Sequence, residues 1–155
     1  GNGVKGQAAR LAADLRNRPQ LYLGGLHVVP HADGTTAIGS TTERDFAQGD
    51  ATDGALEALI ARARALVPEL AGAEVIDRWA GVRPRARTRT AILGPWPGRP
   101  GPFVANGGFK TGFGLAPKVG EVLADLVLEG RDAIPVGLRV EDCLGDVSRS
   151  ASLPP

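Results

Sequence analysis

Four arginines at alternate positions, Arg83, Arg85, Arg87 and Arg89, fall in the segment WAGVRPRARTR. A guanidinium offers two parallel N–H donors that match two oxygens of a carboxylate or phosphate, so one well-placed arginine can anchor an anion. In a strand, positions two apart share a face, and the plainer reading of the run is a solvated basic edge. Nucleic acid is a poor partner for it. Binding a phosphate polymer rests on many cationic contacts, yet no aromatic interleaves residues 83–89 and the whole chain carries only +1.

The second segment able to do chemistry is GGFKTGFG, residues 107–114, with four glycines in eight positions. Glycine lets a backbone pass close to something flat or bulky. The loop runs into an amphipathic stretch, so unpaired N–H groups and the positive end of a helix dipole would face an electron-rich ligand atom. A tight packing loop accounts equally well for the glycines. The spacing is not GxxxxGK[ST], since Lys110 follows Phe109, and a phosphate-cradling role has no motif behind it.

His27, His31 and Cys143 lack the spacing of a zinc site, and no metal is expected. A lone histidine on a strand is more often structural than functional. As a pocket residue, His27 could make binding depend on pH near neutrality.

These residues need positioning elements. Residues 4–11 read as a strand, 20–31 as a strand kinked at Gly24 and Gly25, and 35–41 as the strand returning from a turn at Asp33 and Gly34. Leu56, Leu59, Ile60, Ala63, Leu66 and Val67 repeat at the helical period. They predict a helix over 53–66, capped by Thr52 or Asp50 and stopped by Pro68. Residues 73–80 alternate as a strand, 81–90 read as irregular or extended, and AILGP and PFVAN as short strands. A second helix is expected over 116–128, with Pro117 in its first turn, a buried stripe of Val119, Val122, Leu123, Leu126 and Val127, and Gly130 as its stop. Residues 146–155 read as a loose tail. The order predicts an α+β fold: an antiparallel sheet with a flanking helix, then a strand, a glycine-rich loop and a helix.

A chain of 155 residues normally makes one domain. Its 43% hydrophobic and 23% charged content is that of a soluble globular protein. No apolar run is long enough to span a bilayer, and GNGVKGQAARL lacks the apolar segment of a signal peptide. One cysteine excludes an internal disulfide and fits a cytoplasmic protein. With no methionine there is no initiator residue, and a piece of a longer chain is the expectation.

The stretch NGGFKTGFGLAPKVGEVLADLVLEG, residues 106–130, resembles the C-terminal flavin-contacting loop and helix of the D-amino-acid oxidase and glycine oxidase family. WAGVRP resembles that family's W-x-G-x-R-P motif, and LYLGGLHVVPHADGTTAIGSTTE its Y-x-x-x-x-Y-x-x-P hairpin. The resemblance implies FAD as cofactor, contacted by Gly108, Phe109, Lys110, Thr111, Gly112, Phe113 and Gly114. It implies Arg83 as the anchor of the substrate carboxylate, with Trp79 and Pro84 as its neighbours. Tyr22 matches the hairpin's first tyrosine, and His27 stands where a pocket-lining tyrosine is expected. Lys110 replaces an arginine, keeping the charge but losing the fork, which puts glycine in doubt as the substrate. Arg83, Lys110 and His27 are the implied catalytic positions.

The resemblance further implies an incomplete part of a two-domain flavoenzyme: a substrate-domain portion over 1–104, the FAD-contacting loop and helix over 105–130, and an extended tail over 131–155. No GxGxxG turn set between a strand and a helix is present, so the FAD-binding N-terminal half is expected in a part of the protein outside these residues. The implied reaction oxidises the C–N bond of an amino acid or related amine, for which a bulkier, secondary or differently charged amine is as good a candidate as glycine, by hydride transfer to flavin, giving imine and hydrogen peroxide. A sarcosine-type secondary-amine oxidase, a dehydrogenase and a non-catalytic accessory subunit are the alternatives, and a homo-oligomer is compatible with each.

Overall fold

The computed structural model describes residues 2–144. The chain divides at Val82 into two compact units, each described by itself.

The first unit, Val4–Val82, is a sheet with a helix packed on it. Strands β1 (Asn2–Leu11), β2 (Leu21–Leu23), β3 (Leu26–Pro30), β4 (Thr36–Gly39) and β5 (Val75–Arg85) are ordered β2-β3-β4-β1-β5. The β2/β3, β3/β4 and β1/β4 pairs are antiparallel. The kink expected at Gly24 and Gly25 is instead a hairpin. Leu23 pairs with Leu26, and the two glycines between them have φ of 52° and 90°. Positive φ at both central residues defines the tight turn whose twist suits flanking strands, and glycine adopts it without strain. The Asp33 carboxylate accepts from the N–H and hydroxyl of Thr35, and this closes the next turn.

Helix α1 (Gly54–Leu66) buries Leu56, Leu59, Ile60 and Ala63. They meet Ala9, Leu11, Leu26, Val28 and Ile38 from the sheet in one core cluster. A fully buried leucine such as Leu11 is worth roughly 1.5–3 kcal/mol of transfer free energy. Leu66, expected on the buried face, is exposed. A short 3-10 turn, Pro68–Leu70, follows the helix. β5 runs on through residues 81–85 of the stretch read as irregular or extended, and residues 86–90 are irregular. This strand is the edge strand, where Pro84 removes no ladder bond that a central strand would need.

The cap of α1 is Asp53, not Thr52 or Asp50. One Asp53 oxygen accepts from the Ala55 N–H at 2.9 Å and from the Gln7 amide at 2.8 Å, and the other from Lys5 at 2.8 Å. Lys5 and Gln7 are themselves buried on the same β1 face as Ala9 and Leu11. Glu43 accepts from Gln7 and from Thr41. Hydrogen bonds from Gln7, Lys5 and the Ala55 N–H hold the Asp53 carboxyl down at about 2. Its hydrogen bond to Asp53 raises the Lys5 ammonium.

The second unit comprises residues 83–144 with the first residues of the chain. A two-stranded hairpin, β6 (Ile92–Pro95) and β7 (Phe103–Asn106), meets helix α2 (Gly112–Glu129) through Leu93, Val122 and Ile134. Val119, Leu123, Leu126 and Leu138 pack around these three. Val127, expected in the stripe, is exposed. Gly130 ends α2 in the left-handed conformation, its N–H bonded to carbonyls of the last turn. Residues 131–144 are not extended throughout, because Val140–Leu144 form the short helix α3. The expected tail beyond them lies outside the described residues.

The letters GNGVKG at residues 1–6 spell G-x-G-x-x-G. From Asn2 onward they are strand β1, not the strand-to-helix turn that a pyrophosphate requires. Among the described residues no helix is long and apolar enough to cross a membrane.

Candidate active site

The second unit brings Arg83, Arg85 and the glycine-rich loop together. β5 ends at Arg85, which pairs with Gly108 in an isolated antiparallel bridge. The loop therefore lies beside the end of the strand. Alternation along β5 sends Arg83 and Arg85 to the same face. Their guanidinium carbons lie 5.7 Å and 5.9 Å from the centroid of the Phe109 ring, and the Lys110 ammonium lies 5.8 Å from it. Cations gather at an aromatic ring because its quadrupole attracts them. Phe109 itself sits at φ 44°, an uncommon conformation for a residue with a Cβ. The turn is held by the Thr111 N–H and hydroxyl, both donating to the Gly108 carbonyl.

The four glycines divide into two kinds. Gly107 has φ 74°, and a Cβ there would come within 3.0 Å of the Ala86 Cβ and 3.1 Å of both Ile92 and the Thr90 carbonyl. A Cβ on Gly108 would fall 2.7 Å from the Gly112 Cα. These two glycines are required by packing. Gly112 and Gly114 have neither positive φ nor any atom within 4 Å of a Cβ, and they stand in α2, where glycine costs about 1 kcal/mol against alanine. Nothing among the described residues requires glycine at these two positions.

α2 starts at Gly112 rather than near Ala116, so Pro117 lies inside the helix and not in its first turn. The N-cap, Thr111, makes no side-chain cap bond, because its hydroxyl is turned to Gly108. The N–H groups of Gly112, Phe113 and Gly114 thus begin the helix without a side-chain acceptor from the cap, at the positive end of its dipole. An apolar groove of about 300 Å³ adjoins them, lined by Leu93, Ala105, Gly108, Gly112, Leu115 and Ala116 among others. Open glycines, uncapped N–H donors and an apolar groove fit the electron-rich edge and flat face of a flavin ring. They offer nothing to its adenosine diphosphate end.

Of the remaining expected residues, His27 lies on β3 opposite Tyr22, with ring centroids 4.6 Å apart and its Nδ1 3.2 Å from the Gln20 amide nitrogen. His27 and Trp79 belong to the first unit. Arg87 donates to the Cys143 carbonyl and Arg89 is exposed. Among the described residues no three of His, Cys, Asp and Glu cluster as metal ligands do.

A family model described as FAD dependent oxidoreductase matches residues 2–126. This chain belongs to that FAD-dependent oxidoreductase family. It is 39% identical over 134 residues to the glycine oxidase of Pseudomonas aeruginosa, covering 84% of this chain and 36% of that protein. It is 36% identical over 125 residues to that of Pseudomonas putida, covering 80% and 34%. The crystal structure of glycine oxidase from Geobacillus kaustophilus superposes with a TM-score of 0.78 at 28% identity, over 92% of this chain and 40% of that one. The chain therefore spans about a third of the length of the curated relatives it matches, and its α+β fold is part of a larger flavoenzyme fold.

Proposed function

We propose that the full-length protein containing this chain oxidises the C–N bond of a small amino acid or related amine. The observation that carries this reading is the meeting of Arg83 with the loop whose outer glycines meet no atom among the described residues that would exclude a Cβ. Bound FAD supplies the hydride acceptor for oxidation to the imine, with oxygen as the final acceptor giving hydrogen peroxide. Arg83 grips the substrate carboxylate through its fork and fixes which hydrogen is presented. The N–H groups of Gly112, Phe113 and Gly114 donate to the electron-rich edge of the ring, and the helix dipole favours negative charge there. Lys110 adds positive charge beside the same loop. Gly108, Phe109 and Thr111 shape the turn that carries these contacts.

On this reading residues 1–104 are the substrate-domain portion, 105–130 the cofactor-contacting loop and helix, and 131–155 the tail. The remaining FAD contacts come from the part of the protein that its relatives have and these residues do not include. The single cysteine fits a cytoplasmic location.

The test is the colour and chemistry of the full-length protein. It should purify yellow and release peroxide with one or more of glycine, sarcosine and D-amino acids. A colourless protein that cannot be reconstituted with FAD would overturn the assignment.

A further inference from the structure

We propose that Phe109 is a positioning residue for the carboxylate anchor: its ring helps to orient the Arg83 guanidinium so that the fork faces the substrate. This rests on the oxidase reading above and deepens it. Phe109 has φ 44°, in the left-handed region. That conformation is strained for a bulky side chain and free of strain for glycine. The loop is otherwise generous with glycine, at 107, 108, 112 and 114, yet this position carries a ring. A residue persists in such a conformation when its surroundings hold it there, and that strain gathers at functional sites.

The ring meets charge. The guanidinium carbons of Arg83 and Arg85 lie 5.7 Å and 5.9 Å from its centroid, and the Lys110 ammonium lies 5.8 Å from it. The negative face of an aromatic ring attracts cations at this range, and a planar guanidinium is drawn to lie flat on it. Such an attraction narrows the rotation of the guanidinium and so the direction of its two parallel N–H donors. It adds to the other interactions of Arg83. The ring is also tied to the strand that carries Arg83. Gly108, the residue before it, bridges to Arg85. The Thr111 N–H and hydroxyl close the turn on the Gly108 carbonyl at 2.8 Å and 3.0 Å. Strand end, bridge, turn and ring form a path that leads back to Arg83.

The experiment places mono-, di- and trifluorinated phenylalanine at position 109 of the full-length flavoprotein. Each fluorine drains negative charge from the ring face while its size scarcely changes. KM for a carboxylate substrate should climb with each fluorine, reaching about tenfold for the trifluorinated ring. The loss should fall on KM rather than on kcat, and flavin content should show no trend with fluorine number. Phe109→Leu should raise KM at least as far, and Phe109→Tyr should recover most of it. A merely structural side chain would give no graded series, since the fluorinated rings fill the same space. A KM that stays flat across the series overturns the proposal. So does a series in which flavin content or kcat falls in place of KM. A yellow, active parent protein with a flat series sinks this inference alone, and a colourless parent sinks the oxidase reading together with it.

Discussion

Arg85 and Gly108 are joined across an antiparallel bridge, and this one pairing brings the arginine strand and the glycine loop into a single site. Arg83 and Phe109, 26 positions apart in the chain, meet beside it.

The first expectation concerns Arg83. Arg83→Ala in the full-length protein should raise KM for carboxylate substrates on the order of a hundredfold while flavin content stays constant. Arg83→Lys should recover only part, because an ammonium lacks the fork. An unchanged KM would remove Arg83 from substrate binding.

The glycines give a paired test. Gly112→Val should leave the fold intact, since its side chain would enter open space, but lower the flavin bound per protein several-fold. Gly107→Ala should instead lower the melting temperature, because its Cβ would press on Ala86, Ile92 and the Thr90 carbonyl and its φ is positive. Normal flavin content in Gly112→Val would return the outer glycines to the category of ordinary surface residues.

Acid sensitivity follows from Asp53. A carboxyl held at about 2 when folded and near 3.9 when unfolded lends stability that is complete above the higher value and lost as pH falls toward the lower. Thermal midpoints measured between about pH 6 and pH 2 should therefore decline below about pH 4. Asp53→Asn should flatten this slope and lower the midpoint at neutral pH, as one link to Lys5 loses its charge. The Asp53 side chain is half exposed, so the effect is modest. An identical slope in Asp53→Asn would show that other carboxylates set the acid limit.

The core offers a magnitude. Leu11→Ala should destabilise the first unit by about 2–5 kcal/mol, because the side chain is fully buried against α1 and the sheet. Denaturant titration measures it, and a loss under 1 kcal/mol would mean that the site collapses around the change.

Much of this was legible in the residues. The spacing of Leu56, Leu59, Ile60 and Ala63 marks α1, and Asp33 with Gly34 marks a turn, because both signals are local and repeat a fixed geometry. Other readings failed for physical reasons. β2 is three residues long, too short to show alternation, so the turn at Gly24 and Gly25 looked like a kink. α2 was expected to start late because Gly112 and Gly114 argue against a helix and Pro117 argues for a first turn. Lys5 and Gln7 passed unnoticed as core residues because their types suggest solvent. The signal was their place four and two positions before Ala9 on one strand face. The bridge between Arg85 and Gly108 has no sequence signature, since pairing across 23 residues is decided by tertiary packing.

Pro117 has a consequence for the beginning of α2. Having no N–H, it leaves the Phe113 carbonyl without its partner four residues on. That same turn contains Gly112 and Gly114 and lacks a side-chain cap. Protection of backbone amides from deuterium should thus rise steeply along α2, with its opening residues labelling first and those around Val122 last. A molecule seated against the opening turn would slow that labelling, so the helix carries its own reporter of occupancy.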